Sequence, residues 1–345
     1  MRVLAIDPGS ITTSVATVEN DKIYRYREVS SKELSRNPEM LFEMIEEDQP
    51  DIIVAPSGYG LPPVDIRELN TEERLKSLLL REDDPGIEDL KYISYFLKHV
   101  ERIKVPVIGV PGIYNLATID PSKRINRIDL GTADKTATAI LAIYVHSRGD
   151  LERLSRSNII VMELGAFTSG IAVKEGRIID GVGGTLYPIG LISGGGWDGE
   201  IAVILGRRIY KRDLFKGGLK SICGTIDLEE IYVRCREGFE RYIDDIAKTI
   251  AVLERSIRRG GLKEDEIKIY LSGRGARNIV VKALKEYGYN PEILPRFFKG
   301  SDEKIKSSAE GSALYGILWK NNRDFLRRIG VLEDWIPYDM KLIYY

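Results

Sequence analysis

Residues 3–18, VLAIDPGSITTSVATV, return in altered form as VMELGAFTSGIAV at 161–173. A gapless offset of 156 brings Asp7 onto Glu163, Gly9 onto Gly165, Thr12 onto Thr168 and Thr13 onto Ser169. Each copy reads as an apolar strand closed by an acid, a glycine turn, a pair of hydroxyl residues and a second strand. A further turn follows, END at 19–21 and KEGR at 174–177. Alternating apolar runs joined by such turns predict a three-stranded antiparallel meander, built twice. A chain made of two copies of one pattern has to fold as two similar units.

The segments behind each meander also run in parallel. The first is followed by an amphipathic helix with Asn37 as N-cap, Pro38 at N1 and Leu41, Phe42 and Ile45 inward, then the strand DIIVAPSGYG (51–60). The second is followed by a long helix near 228–258 and the strand IKIYLSGRGA (267–276). That helix sets Phe239, Tyr242, Ile246, Ile250, Leu253 and Ile257 on one face and stops at Gly260–Gly261. Helix, strand and helix then complete each half, at about 88–101, 105–110 and 130–145 in the first and about 278–287, 292–295 and 305–318 in the second. The expected class is α/β, two β-β-β-α-β-α-β-α domains at 1–146 and 157–319 with an extension at 320–345.

Composition narrows the function. The 345 residues carry 51 basic and 52 acidic side chains, a formal charge of −1 that offers no footprint for nucleic acid or an anionic membrane. No apolar run reaches the ~18 residues needed to span a bilayer, and Met1 leads directly into a core strand, so a cytoplasmic protein is expected. Cys223 and Cys235, 12 apart with no second pair, read as ordinary buried thiols rather than a disulfide framework or zinc site. His99 and His146 lack partners at metal-ligand spacing. Gln49 is the only glutamine, and the abundance of Lys, Arg, Glu and Ile fits a protein that works hot.

The order of elements, with an acid-x-Gly turn opening each half, resembles the acetate and sugar kinase, Hsp70 and actin superfamily over nearly the whole chain. IDPGSITTS resembles its first phosphate loop, MELGAFTSG its second and LSGRGA its adenosine loop. DLGTADKTATAIL and SSAEGSALYGIL resemble the two connecting helices at its interdomain hinge. The resemblance implies two duplicated ribonuclease H-like (actin-like ATPase) domains with an ATP cleft between them. Within the superfamily the chain is similar to an archaeal family labelled predicted butyrate kinase. Acetate and butyrate kinases carry Asn in place of Asp7 and His in place of Glu163, so a histidine-based stabilisation of the phosphoryl group does not carry over.

The residues have their own chemistry. A glycine turn between strands presents successive N–H groups to an anion, and Gly9, Ser10, Thr12 and Thr13 are the candidates for phosphate. Asp7, facing that point, would repel phosphate unless a metal ion stood between, which makes it the candidate ligand of Mg2+, held through water. The alternative is a strand-ending Asp capping its own turn, which the duplicated copy disfavours. Glu163 is read as a base, as holding a metal-bound water, or as a structural ion-paired acid. Gly165, Thr168, Gly195 in SGGGWDGE (193–200), Gly273, Arg274 and Gly275 are the further nucleotide candidates. The segment GVGGT (181–185) reads as backbone at the same rim or as a plain loop. Substrate recognition is assigned to Ser57 and Tyr59 in PSGYGLPP and to Lys123 and Arg124 in DPSKRINRIDLGTADK. Asp129 and Asp134 are read as a catalytic base or as helix caps, and Glu310 as structural.

Two readings follow. One is an ATP-dependent phosphotransferase acting on a small anionic metabolite, a short-chain carboxylate such as butyrate in the family reading, with ATP and Mg2+ as cofactors and a homodimer allowed. The other is a nucleotide-operated switch of the same fold. The lack of a paired-cysteine motif speaks against an iron–sulfur activator, and the lack of a metal-binding His pair against carbamoyl transfer to tRNA.

Overall fold

The apolar run before Asp7 becomes a strand with both faces covered. The computed structural model describes residues 1–80, 86–259, 261, 267–302 and 304–343. Gly260, half of the expected helix stop, lies outside them. Among the described residues the strands are β1 (Arg2–Asp7), β2 (Thr12–Glu19), β3 (Lys22–Ser30), β4 (Ile52–Val54), β5 (Val107–Ile108), β6 (Ile159–Leu164), β7 (Thr168–Lys174), β8 (Arg177–Val182), β9 (Lys268–Ser272) and β10 (Glu292–Ile293). They form two five-stranded sheets of matching order, β3-β2-β1-β4-β5 and β8-β7-β6-β9-β10. In each sheet the meander is antiparallel and the remaining pairings are parallel. The duplicated α/β architecture is therefore present.

The chain divides into two compact units, both discontinuous in sequence. One gathers Met1–Ala117, Thr132–Leu151 and Pro295–Pro337; the other gathers Thr118–Gly131, Glu152–Leu294 and the C-terminal residues from Tyr338. These cuts differ from the sequence repeat. The helix Ser307–Asn321, last in the second repeat, belongs to the first unit, and the segment 118–131 belongs to the second.

In the first unit, alternate residues of β1 serve two layers. Leu4 and Ile6 enter a core with Leu41, Phe42, Tyr92 and Phe96 from the helices Glu39–Asp48 and Lys91–Lys98. On the other face, an added Cβ at Gly316 of Ser307–Asn321 would lie 2.6 Å from Val3 and 3.0 Å from Val54. The same helix crosses Ala133–Ser147 so closely that a Cβ at Gly311 would lie 2.0 Å from the Ala137 carbonyl oxygen. In the second unit, Phe239, Tyr242, Ile246, Ile250, Leu253 and Ile257 of the helix Arg236–Arg258 are buried on the sheet with Ile160, Met162 and Leu164.

Three sequence expectations need correction. First, Asn37 is one residue outside the helix Glu39–Asp48, whose N-cap is Pro38. Second, the repeat is not gapless. Asp7 pairs with Ser14, six residues between them, whereas Glu163 pairs with Ser169, with five. Beyond the turn the offset is therefore 155. Both strands bulge at matching points, Thr17/Val18 and Ala172/Val173. The two left-handed turn residues also match, Asn20 and Asp21 against Glu175 and Gly176. Thr13 thus corresponds to Thr168 and Thr12 to Phe167. Third, Cys223 and Cys235 are not separate thiols but a disulfide, with Cα atoms 5.7 Å apart. Cys235 breaks the expected long helix into Leu228–Arg234 and Arg236–Arg258. Gly238 leaves room for the bridge, since a Cβ there would lie 2.5 Å from one sulfur and 2.9 Å from the other.

No helix among the described residues is long and apolar enough to cross a membrane.

Candidate functional site

In the first unit, the C-terminal end of β1, the first turn of the helix Ala133–Ser147 and the N-cap of the helix Ser307–Asn321 bring four charged side chains together. Asp7 is buried and accepts a hydrogen bond of 2.8 Å from the Ser308 hydroxyl. The Lys306 ammonium stands 3.8 Å from the same carboxylate oxygen and donates to the Thr12 carbonyl at 2.7 Å. Asp134, in the first turn of Ala133–Ser147, accepts from Thr132 and from Lys135. Burial pushes the Asp7 carboxyl above the usual range; Lys306 pulls it back and Asp134 pushes it further up. Burial would raise Asp134 too, but Lys135 and the Thr132 hydroxyl hold it below its ordinary value. Two carboxylates within electrostatic reach, each with a lysine, occupy the strand-end position where open α/β sheets bind ligands.

The D-P-G-S turn is tied from several sides. The Ser31 hydroxyl donates to the Gly9 carbonyl at 2.6 Å, and the Ser31 amide to Ile11. A Cβ on Gly9 would meet the Thr12 carbonyl oxygen at 2.3 Å and Lys306 Nζ at 2.9 Å, so the turn requires glycine. Ser10 is half-buried at the turn. Thr12 and Thr13, expected to offer hydroxyls to an anion, spend them elsewhere. Thr12 bonds Glu28, and Thr13, fully buried, bonds the hydroxyls of Tyr92 at 2.7 Å and Ser31 at 2.9 Å. The loop after β4 reaches the same neighbourhood, because the Ala133 amide donates to the Gly58 carbonyl at 3.2 Å. Ser57 is buried between the Ala55 carbonyl and the Val110 amide and works as a loop brace, while Tyr59 next to it is half-buried.

In the second unit the corresponding turn forms a smaller cluster. The half-buried Glu163 carboxylate lies 3.0 Å from where a Cβ of Gly165 would be and 2.8 Å from that of Gly273. Gly273 has φ +86°, in the left-handed region, so both its conformation and the approach of Glu163 demand glycine. Gly275 donates to the Leu164 carbonyl at 2.7 Å and leaves room for the Tyr242 hydroxyl, 2.5 Å from its missing Cβ. Burial raises the Tyr242 hydroxyl, which lies beside buried Thr168, so Tyr242 repeats the place of Tyr92 under Thr13. Arg274 is exposed at the tip of this loop.

The remaining candidates hold backbone. Asp129 accepts from the Gly131 amide at 3.1 Å and from the amide and hydroxyl of Thr185 at 3.0 and 2.7 Å, fastening the GVGGT segment. Lys123, placed on the first domain by sequence, sits in the second unit. It bonds the Ile179 carbonyl at 3.0 Å and pairs with Asp180 at 2.8 Å. Arg124 beside it is buried. Gly195, at φ +77°, approaches the Tyr187 carbonyl so closely that a Cβ would lie 2.4 Å away. Glu310 is fully buried and accepts from the amides of Phe297 and Phe298 at 3.1 and 3.3 Å.

The family model described as "Protein of unknown function (DUF1464)" matches residues 5–336. The chain belongs to that family. Its fold is shared with crystal structures of acetate kinase from Porphyromonas gingivalis (TM-score 0.59, 13% identity, 92% of this chain and 99% of the other) and from Entamoeba histolytica (0.55, 18%, 84% and 86%). A propionate kinase from Francisella tularensis subsp. tularensis SCHU S4 gives 0.56 at 17% identity, over 83% and 88%. In sequence, an acetate kinase from Maridesulfovibrio salexigens is 28% identical over 180 residues, 44% of this chain. The match spans 45% of that relative's length.

Sequence reading of this DUF1464 chain missed Lys135, Lys306 and Ser308. Lys135 follows Asp134 directly, and its nearness was available in the motif. Lys306 and Ser308 are separated from Asp7 by some 300 residues, and no local pattern joins them.

Proposed function

We propose that this chain is an ATP-dependent phosphotransferase acting on a small anionic metabolite, with a short-chain carboxylate such as butyrate as the class of acceptor. The observation that carries the reading is the pairing of buried Asp7 and half-buried Asp134 with Lys306 and Lys135 at the end of β1. The likeness in fold to acetate and propionate kinases supports it.

The donor set suits a magnesium ion carried in with the nucleotide. Among the described residues no group of three or more His, Cys, Asp or Glu could hold a metal, and both Asp134 oxygens are engaged. One Asp7 oxygen is taken by Ser308, and the other is the one suited to a water-bridged cation. Such an ion would supply charge to the phosphate oxygens. Asp7 would orient it, and Lys306 and Lys135 offset the two acids.

Asp134 also bears on the acceptor. A base that takes a proton from an alcohol works best with a pKa near the working pH. Lys135 holds Asp134 low, so it stays ionised and is a poor base. An acceptor already ionised, a carboxylate, needs none.

The test is ADP release with acetate, propionate, butyrate, sugars and polyols as acceptors, measured over the no-acceptor background. A carboxylate should raise it, and Asp7→Asn should abolish most of the increase. Release that no acceptor raises would favour the regulatory ATPase instead.

A further inference from the structure

Nothing in an acid-x-Gly turn calls for a lysine threaded into it from the far end of the chain. Lys306 precedes the helix Ser307–Asn321 and places its ammonium at the turn, 2.7 Å from the Thr12 carbonyl oxygen. The amine is 2.9 Å from the position that a Gly9 side chain would fill, so glycine at this point leaves it uncovered. Its side chain is 23% exposed, whereas that of Asp7 is 4% exposed. The cation can be reached while its carboxylate partner is buried.

We propose that Lys306 is a phosphate-binding residue, its ammonium donating to a non-bridging oxygen of a polyphosphate seated at the Asp7–Thr12 turn. Resting on the kinase reading, the proposal adds that this turn binds inorganic or nucleoside polyphosphate without a divalent cation. An ammonium has three N–H donors, and the Thr12 carbonyl takes one. The 3.8 Å separation from Asp7 is an ion pair beyond hydrogen-bond length and consumes no donor. Thr12 and Thr13 have committed their hydroxyls to Glu28, Tyr92 and Ser31, so the side-chain donors the turn offers an anion are those of Lys306 and Ser10. Asp7 and Asp134 are each offset by a lysine, which leaves exposed Glu28, bonded by Thr12, as the further carboxylate beside the turn.

The probe is sodium tripolyphosphate in EDTA-containing buffer, titrated into the full chain by calorimetry. The wild type should bind, and Lys306→Met should weaken binding roughly 10- to 100-fold, the loss of one charge-assisted hydrogen bond. Lys306→Arg should restore most of the affinity. Lys320→Met, which removes a charge at the other end of the same helix, should change nothing. Unchanged affinity in folded Lys306→Met, or no metal-free binding by the wild type, overturns the proposal. Should Lys306→Met fail to fold, amine-reactive labelling of the wild type read by mass spectrometry decides the matter. Tripolyphosphate should shield Lys306, and equal labelling with and without it refutes the assignment. The kinase reading fails separately, through absence of acceptor-dependent ADP release, with the shielding of Lys306 unaffected. Conversely, acceptor-dependent turnover with the same KM for ATP in Lys306→Met removes only the lysine's role.

Discussion

Replacing Gly311 by alanine should weaken the protein, although Gly→Ala inside a helix ordinarily gains about 1 kcal/mol. The added Cβ would lie 2.0 Å from the carbonyl oxygen of Ala137 and 2.5 Å from its carbon. A carbon–oxygen contact settles near 3.3 Å, so the helices Ser307–Asn321 and Ala133–Ser147 have to part by roughly 1.3 Å. The obstacle is backbone, which no rotamer change removes. Overpacking of this kind costs about 1–3 kcal/mol, and the upper end applies because the gap opens along both helices. After the propensity gain is subtracted, a net loss of about 1–2 kcal/mol remains, a fall in Tm of roughly 2–8 °C. Asp134 and Lys135 ride on one helix, Lys306 and Ser308 at the start of the other, so a shift near 1 Å should also lower turnover, by as much as about 10²-fold. Differential scanning calorimetry and ADP release on Gly311→Ala would be compared with Gly199→Ala, whose Cβ meets nothing within 4 Å. Gly199→Ala should leave both quantities near wild type. Equal or higher Tm in Gly311→Ala, with unchanged turnover, would refute the close crossing and its link to the charged cluster.

Other consequences are as direct. Gly273→Ala should cost about 1–2 kcal/mol by circular-dichroism melting, because φ +86° disfavours an L side chain and the Cβ would press on Glu163; an unchanged melt counts against this conformation. Reducing the Cys223–Cys235 bridge, or replacing both residues by serine, should lower stability by about 3 kcal/mol, the loop-closure value for a separation of this size, and a reductant-insensitive Tm would contradict the bridge. Burial alone would raise the Asp48 carboxyl, but its bonds to Arg27 and Thr17 and the nearby Arg25 charge hold it below its ordinary value. A depressed folded-state pKa means that stability is fully present above the usual carboxylate range and is lost as pH falls through and below about 4. Urea melts should therefore show Asp48→Asn losing less stability than the wild type over that acid range, and parallel losses would show that this network does not titrate.

Local sequence pattern alone determined a large share of this protein. The duplicated meander, the order of the later helices and strands and the inward faces of Glu39–Asp48 and Arg236–Arg258 were all readable. Strand and helix periodicities are short-range, and burial on a sheet imposes them directly. The places of Asp7 and Glu163 at strand ends and of Asp134 in the first turn of a helix were readable for the same reason, since each element is recognisable by itself. Only the tertiary structure decided the rest. The one-residue slip between the two copies shows in strand pairing and turn conformation, where a gapless sequence match is satisfied equally well one residue out of step. The segment 118–131 joins the second unit through Asp129 on Thr185 and Lys123 on Asp180, contacts of about 56 residues' separation between unlike elements. Lys306 and Ser308 reach Asp7 across 301 residues or nearly so, and the disulfide joins two helix ends. Such partners meet because packed layers bring distant backbone together, and one-dimensional periodicity carries no record of which side chain will stand opposite which.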